Sequence, residues 1–320
     1  MNQKKHKKLC TFAIFFASLT AVIHLINRMI VHWASLTEIL NTPEKQYYRS
    51  KFGKIHYTKH GNGSPILLIH DAFPGSSGYE WNQTTAHLAA EHSVYTIDLP
   101  GYGRSDKSGI TYTSYLYVQL ICDFIKKVIG EKTSVLVSGN SCPFVIMASS
   151  QEKELFHKII LINPPSPKSL NLKRSWNDRI FERVLLLPVF GTFLYHIIVS
   201  RETIQKLFSE KLYKKSQSID KNFTEAYYEA AHIGGYYAKY AYISMISKKL
   251  NTNLTLGITS AGNNFSIIRG MAEPESSSIS SLYQKLNSSI SCYTITNARH
   301  YPQIENPKAF LEKTERILAN

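Results

Sequence analysis

A serine, an acid and a histidine occur in that order along the chain, each in a short turn-like segment. The segments are Gly139-Asn140-Ser141-Cys142-Pro143, Gly270-Met271-Ala272-Glu273-Pro274 and Ala298-Arg299-His300-Tyr301-Pro302. A hydroxyl becomes a nucleophile when a histidine takes its proton, and a carboxylate on the other ring nitrogen keeps the imidazole in the tautomer that can do so. These residue types therefore spell nucleophilic catalysis, with Ser141 as nucleophile, His300 as base and Glu273 as orienting acid. The four cysteines, Cys10, Cys122, Cys142 and Cys292, show no CxxC spacing and no His-rich tract. That argues for free thiols and against zinc, so neither a metal nor an organic cofactor is expected.

Such groups work only if the elements around them converge. Residues 47–58 alternate about Gly53 and read as a hairpin, and 65–70 form a continuous apolar run suited to a strand covered on both faces. A helix near 79–92, a strand at 93–98, a helix over 115–129 ending at Gly130, and a strand at 133–138 follow. Ser141 then falls between that strand and a helix at 144–150, and 157–162 is a further strand. Strands alternating with helices imply a mostly parallel sheet. From about 168 to 250 the patterns are helical only. Strands return at 265–269 and 289–295, with a helix near 277–286 between them, and a closing helix spans 306–318. The acid has two placements. A strand over 253–260 would put Asn264 at the acid position, whereas a strand over 265–269 puts Glu273 there, with Glu275 as fallback. The second leaves room between Gly270 and His300 for one helix and one strand, and fits better.

Two loops carry a resemblance: Asp98-Leu-Pro-Gly-Tyr-Gly-Arg-Ser-Asp106 and His300-Tyr-Pro-Gln-Ile-Glu-Asn-Pro307. On these the chain resembles the α/β-hydrolase superfamily over residues 46–320, in its capped branch of dehalogenase-like, epoxide-hydrolase-like and esterase members. The resemblance implies an α/β fold, a mostly parallel sheet flanked by helices. The core would be 46–167 and 251–320, with an all-helical cap at 168–250. It also implies that Ser141 sits in a sharp strand-to-helix turn with small neighbours. Gly139 complies, and Pro143 stands where glycine is usual. The oxyanion hole would use the N–H groups of Cys142 and Ala72. There the chain reads His70-Asp71 in place of His-Gly, and a carboxylate at 71 hinders catalysis unless it points away. A serine nucleophile argues against dehalogenase and epoxide hydrolase chemistry. The expectation is thus a carboxylic ester hydrolase acting on a small-molecule ester or lipid-like substrate. The alternative is a catalytically impaired protein of the same fold with a binding or scaffolding role.

The formal charge of +14 is unevenly placed: residues 1–60 carry +8, residues 168–250 carry +7, and the rest sums to −1. No finger, RNP or helix-turn-helix signature accompanies it, so nucleic acid is not the expected partner. Lys4, Lys5, Lys7 and Lys8 form a basic tail over 1–8, ahead of an apolar anchor helix over 9–32. Its uncharged part, 9–27, spans roughly 28 Å as a helix, close to the thickness of a bilayer core. No small-residue cleavage site closes it, which favours a retained single-pass anchor. The lysines place the N-terminus in the cytoplasm and the folded part outside.

Overall fold

The run Ser64–Ile69 is apolar on both faces because it lies in the middle of a sheet that is covered on both sides. The computed structural model describes residues 2–43, 45–214, 220–262 and 264–319. Helix α1 (Asn2–Ser35) is followed by β1 (Gln46–Ser50), β2 (Gly53–His60) and β3 (Ser64–Ile69). Then come α2 (Asn82–Leu88), β4 (His92–Ile97), α3 (Ser114–Phe124), β5 (Thr133–Ser138), α4 (Cys142–Gln151) and β6 (Phe156–Ile162). Between β6 and β7 the described elements are helical: α5 (Trp176–Leu186), α6 (Val189–Ile198), α7 (Arg201–Leu207), α8 (Lys221–His232), α9 (Lys239–Ile246) and α10 (Thr255–Thr259). The chain closes with β7 (Phe265–Gly270), α11 (Ser276–Leu286), β8 (Ser291–Ile295), α12 (Pro302–Glu305) and α13 (Pro307–Ala319).

The eight strands form one sheet in the order β1-β2-β4-β3-β5-β6-β7-β8. Strands β1 and β2 pair antiparallel with each other and β2 with β4, and every other pair is parallel. The expected α/β architecture is therefore the observed one. The alternative strand over 253–260 is instead helical at α10, and β7 starts at Phe265, which places Glu273 just past its end. Parallel crossovers bring the C-terminal ends of β3, β5, β6, β7 and β8 to one edge, where such sheets hold their ligands. Two apolar layers cover the sheet, one built on α3 and α4 and the other on α2 and α13. A third cluster lies in the helical insert, where Phe208, Tyr213, Phe223 and Tyr227 pack onto Tyr301.

Helix α1 contains, within His6–Ser35, an 18-residue stretch of mean hydropathy 2.2, and is long enough to cross a membrane. Many of its apolar side chains, among them Leu9, Phe12, Phe15, Val22 and Met29, are more than half exposed. The helix is not isolated from the insert: Phe16 meets Phe190 of α6 at 5.7 Å, and Asn27 Nδ2 donates to the Val189 carbonyl at 3.0 Å.

Candidate active site

Strand β5 ends at Ser138, and the chain turns at once. Gly139 has φ +51°, the left-handed region that a glycine enters at least cost. Asn140 and Ser141 then complete a helical turn that leads into α4. The sharp turn at the tip of the strand is thus Gly139, a residue with no side chain. Ser141 lies two residues further on, with ordinary right-handed angles (φ −84°, ψ −17°). It is fully buried, and its Oγ donates to the His70 carbonyl at 2.7 Å. Ser141 Oγ is thus engaged by the His70 carbonyl, and among the described residues no hydrogen bond joins it to His300. Pro143 is harmless where it falls, since the first turn of α4 needs no N–H from it.

The other two members do meet. His300 Nδ1 lies 2.9 Å from Glu273 Oε1, and its Nε2 lies 3.2 Å from Asp71 Oδ2. The ring is held between two carboxylates. Burial works to lower its pKa, but the hydrogen bonds and charges of Asp71 and Glu273 outweigh that and hold it up at about 10. Asn163, at the end of β6, secures this corner. Its Nδ2 donates to the carbonyls of Arg299 and His300 at 2.9 and 2.7 Å, and its Oδ1 accepts from Gly270 N at 3.1 Å.

Asp71 is the residue whose position the sequence left open, and it points into the site. It is 1% exposed, and its Oδ1 accepts from Asn140 N at 2.7 Å and from Asn140 Nδ2 at 3.0 Å. A Cβ placed on Gly139 would lie against the Asp71 carboxyl carbon, with the two oxygens at 2.5 and 2.6 Å. The carboxylate thus fills the space where the side chain of a residue at the turn would stand. Backbone bonds fix it there. His70 Nε2 accepts from Leu99 N at 3.0 Å, so Nδ1 carries the proton and donates to the Asp71 carbonyl at 2.7 Å. Asp71 N donates to Glu80 Oε2 at 2.9 Å, and Gln303 Nε2 donates to Glu80 Oε1 at 2.7 Å. Glu80 is fully buried, and burial together with the Asp71 charge pushes its pKa up to about 8.

The oxyanion expectation changes with the turn. Cys142 N–H donates to the Gly139 carbonyl inside the helical turn, so it is not the donor that faces the site. The N–H next to the turn glycine is that of Asn140, already engaged by Asp71. Ala72 is buried in the main core. A cavity of about 110 Å³ adjoins the group, lined by Gly139, Asn140, Asn163, Pro164, Glu273 and His300 among others. The insert closes the opposite side: Ser76 Oγ donates to Tyr227 Oη at 3.3 Å, and Tyr227 Oη donates to Tyr301 Oη at 3.1 Å.

Sequence reasoning missed the placement of Gly139, Asp71 and Glu80. The first had a visible signal. A strand ending at 138 puts the turn at 139 and leaves 141 inside the helix. The other two had none, because the aim of a side chain in a loop depends on contacts made across the fold.

Residues 66–313 match the family described as "Alpha/beta hydrolase family". A haloalkane dehalogenase of Agrobacterium fabrum is 37% identical over 70 residues, 22% of each chain. A pimeloyl-[acyl-carrier protein] methyl ester esterase of Aliivibrio fischeri is 32% identical over 73 residues, 23% of this chain and 28% of the esterase. These stretches span under a third of the relatives' own lengths. Among solved structures, a serine hydrolase involved in carbazole degradation superposes with TM-score 0.70 at 18% identity, over 86% of this chain and 98% of its own. A membrane phospholipase A superposes with TM-score 0.66 at 16% identity, over 98% of both chains. At these identities the likeness is one of fold.

Proposed function

Because the chain belongs to the alpha/beta hydrolase family, we propose that it is a membrane-anchored hydrolase working through the Asp71 carboxylate and the Glu273–His300 pair. The observation that carries this reading is the overlap between that carboxylate and the side-chain space of Gly139, with His300 Nε2 at 3.2 Å. With a carboxylate there, the exclusion of aspartate-dependent chemistry drawn from Ser141 lapses.

Asp71 Oδ2 attacks a carbon that bears a leaving group, the carbon–leaving-group bond breaks, and the leaving group departs with the electron pair. An aspartyl ester remains. Alkylation removes the Asp71 charge, one of the two that hold the His300 pKa up, so the imidazolium releases its Nε2 proton to solvent and the neutral ring becomes able to act as a base. His300 Nε2 then takes a proton from water as the water oxygen adds to Cγ. The negative charge collects on Oδ1, opposite Asn140 N–H. Breaking the Cγ–O bond to the substrate carbon releases an alcohol, and the proton on His300 leaves with the products. A halide or the carboxylate of an ester satisfies this scheme as leaving group; in an epoxide the ring oxygen keeps the electron pair, stays on the substrate as an alkoxide and takes the proton that His300 carries. An ester cleaved at its alkyl carbon keeps the ester and lipid-like substrate within reach. The exposed apolar helix α1 supports the anchor, with the lysine tail in the cytoplasm and the folded part outside.

Single-turnover reaction of the full chain in H₂¹⁸O, with a panel of bromoalkanes, epoxides and short esters, tests the reading. The peptide carrying Asp71 gains one ¹⁸O. Turnover with an unlabelled Asp71, or fluorophosphonate labelling at Ser141, returns the serine mechanism. A second reading, a catalytically silent protein, is favoured by the small cavity and by Asp71's own oxygen on Asn140 N–H. It predicts folded protein, no turnover and no label.

A further inference from the structure

Helix α1 sets His24, Arg28 and His32 four residues apart, so the three lie along one face. That face forms one wall of a cavity of about 570 Å³, a volume typical of ligand sites. Thr192 and His196 of α6 line the opposite wall, and Tyr236 closes one side. None of the described lining residues is acidic.

Two buried polar groups lack partners here. His196 is 3% exposed, with neither ring nitrogen hydrogen-bonded, and Asn27 Oδ1 is likewise unpaired. A buried polar atom without a partner is unfavourable, and a side chain that lines a cavity can recover that loss from a ligand. The surroundings favour an anion. Lys239 Nζ is tied to the Leu187 carbonyl and Thr192 Oγ1 at 2.9 and 3.1 Å and lies 4.5 Å over the Tyr236 ring. The His196 ring stacks on His232 at 4.9 Å. Burial, foremost, with His232 and Lys239 adding to it, lowers the His196 pKa to about 3, so the ring is neutral and has one N–H to offer an anion.

The position along the anchor names the source of the anion. At 1.5 Å per residue, Arg28 stands roughly 28 Å from Leu9, one hydrocarbon thickness beyond the lysine tail, and so at the level of the far headgroups. Leu172, Trp176 and Leu187 of the insert are exposed, and Phe190 rests on Phe16 of the anchor, so this side of the insert is itself apolar. We propose that the cavity between α1 and α6 binds the phosphate headgroup of an anionic phospholipid, with Arg28 and His196 as its principal contacts. This rests on α1 being a membrane anchor and is independent of the catalytic chemistry.

The full chain is reconstituted in nanodiscs of phosphatidylcholine doped with phosphatidylglycerol, and retained lipid is read by native mass spectrometry after transfer to detergent. Phosphatidylglycerol is expected to be retained at least about tenfold over phosphatidylcholine, with Arg28→Gln and His196→Leu each removing most of that preference. Arg28→Gln is the decisive variant, since His196 is buried and its replacement can disturb packing. Vesicle flotation of both variants checks the anchor separately. Equal retention of the two lipids, or a preference that survives Arg28→Gln, overturns the proposal. So does competition by free glycerol phosphate as effective as by the lipid, because the site would then take a soluble anion.

Discussion

Gly139→Ser puts a side chain back at the turn, and the structure gives the cost. Serine at φ +51° carries about 1–2 kcal/mol of left-handed strain. Its Cβ also meets the Asp71 carboxylate at 2.5 and 2.6 Å, and overpacking of that kind costs about 1–3 kcal/mol. The single variant should therefore lose roughly 2–5 kcal/mol of stability. Asp71→Gly alone removes the acceptor of Asn140 N–H and one partner of His300, which costs about 1–3 kcal/mol. Combined, the two changes no longer collide, and the double variant should be more stable than their sum by about 1–3 kcal/mol. It also places a hydroxyl beside an His300 freed of Asp71, with Asn140 N–H open to an oxyanion. Denaturant melts of the four proteins in detergent give the coupling, and fluorophosphonate labelling gives the chemistry. Only Asp71→Gly/Gly139→Ser should label, and the label should vanish with His300→Ala. Additive stabilities, or labelling of the wild type at Ser141, would refute the placement of the turn at Gly139.

Other outcomes follow from the same geometry. Ser141→Ala should cost about 1 kcal/mol, the worth of its bond to the His70 carbonyl, and leave turnover unchanged in an initial-rate assay. Asn163→Ala should destabilise by about 2–4 kcal/mol, since three buried bonds are lost at a residue with φ +43°, and Asn163→Gly should recover part of it; melting curves report both. Glu80 has a folded pKa of about 8 against an ordinary 4.5, so the folded state holds a proton that the unfolded state has released between those values. Its contribution is fully present below about pH 4.5 and is lost as the pH rises through about 8. Melts at stepped pH should show this fall in the wild type and a flatter profile in Glu80→Gln. That variant will be less stable throughout, because its amide must turn an N–H toward one of two donors.

Alternation of apolar runs with helical spacing made the sheet readable, and the loop at 98–106 and the segment at 300–307 identified its kind before any coordinates. The pairing of Glu273 with His300 was readable too. Moving the strand to 265–269 placed Glu273, and β7 begins at Phe265. The turn at Gly139 and the aim of Asp71 were not readable, for a local reason and a distant one. Gly-Asn-Ser resembles a nucleophile motif wherever it falls, yet its function depends on which residue occupies the single left-handed position, and a shift of two residues buries Ser141 beneath the sheet edge. Asp71 is distant in sequence from everything it touches in the site, being 69 residues from Asn140 and 229 from His300. The bond from Glu80 to its backbone, and the bond from Gln303 that holds Glu80, arise only when the loops meet.

His300 stands between Asp71 and Glu273, and its own titration reports that placement. Selective ¹³C-histidine labelling of the full chain in detergent, with His300 assigned by substitution, gives the pKa by NMR. A value of about 10 is expected in the wild type against an ordinary 6.5. Asp71→Asn should lower the value by at least about 1.5 units, because a buried carboxylate at hydrogen-bond distance supplies a share comparable to that of Glu273. A wild-type His300 that titrates near 6.5, or one whose pKa is unmoved by Asp71→Asn, would contradict it.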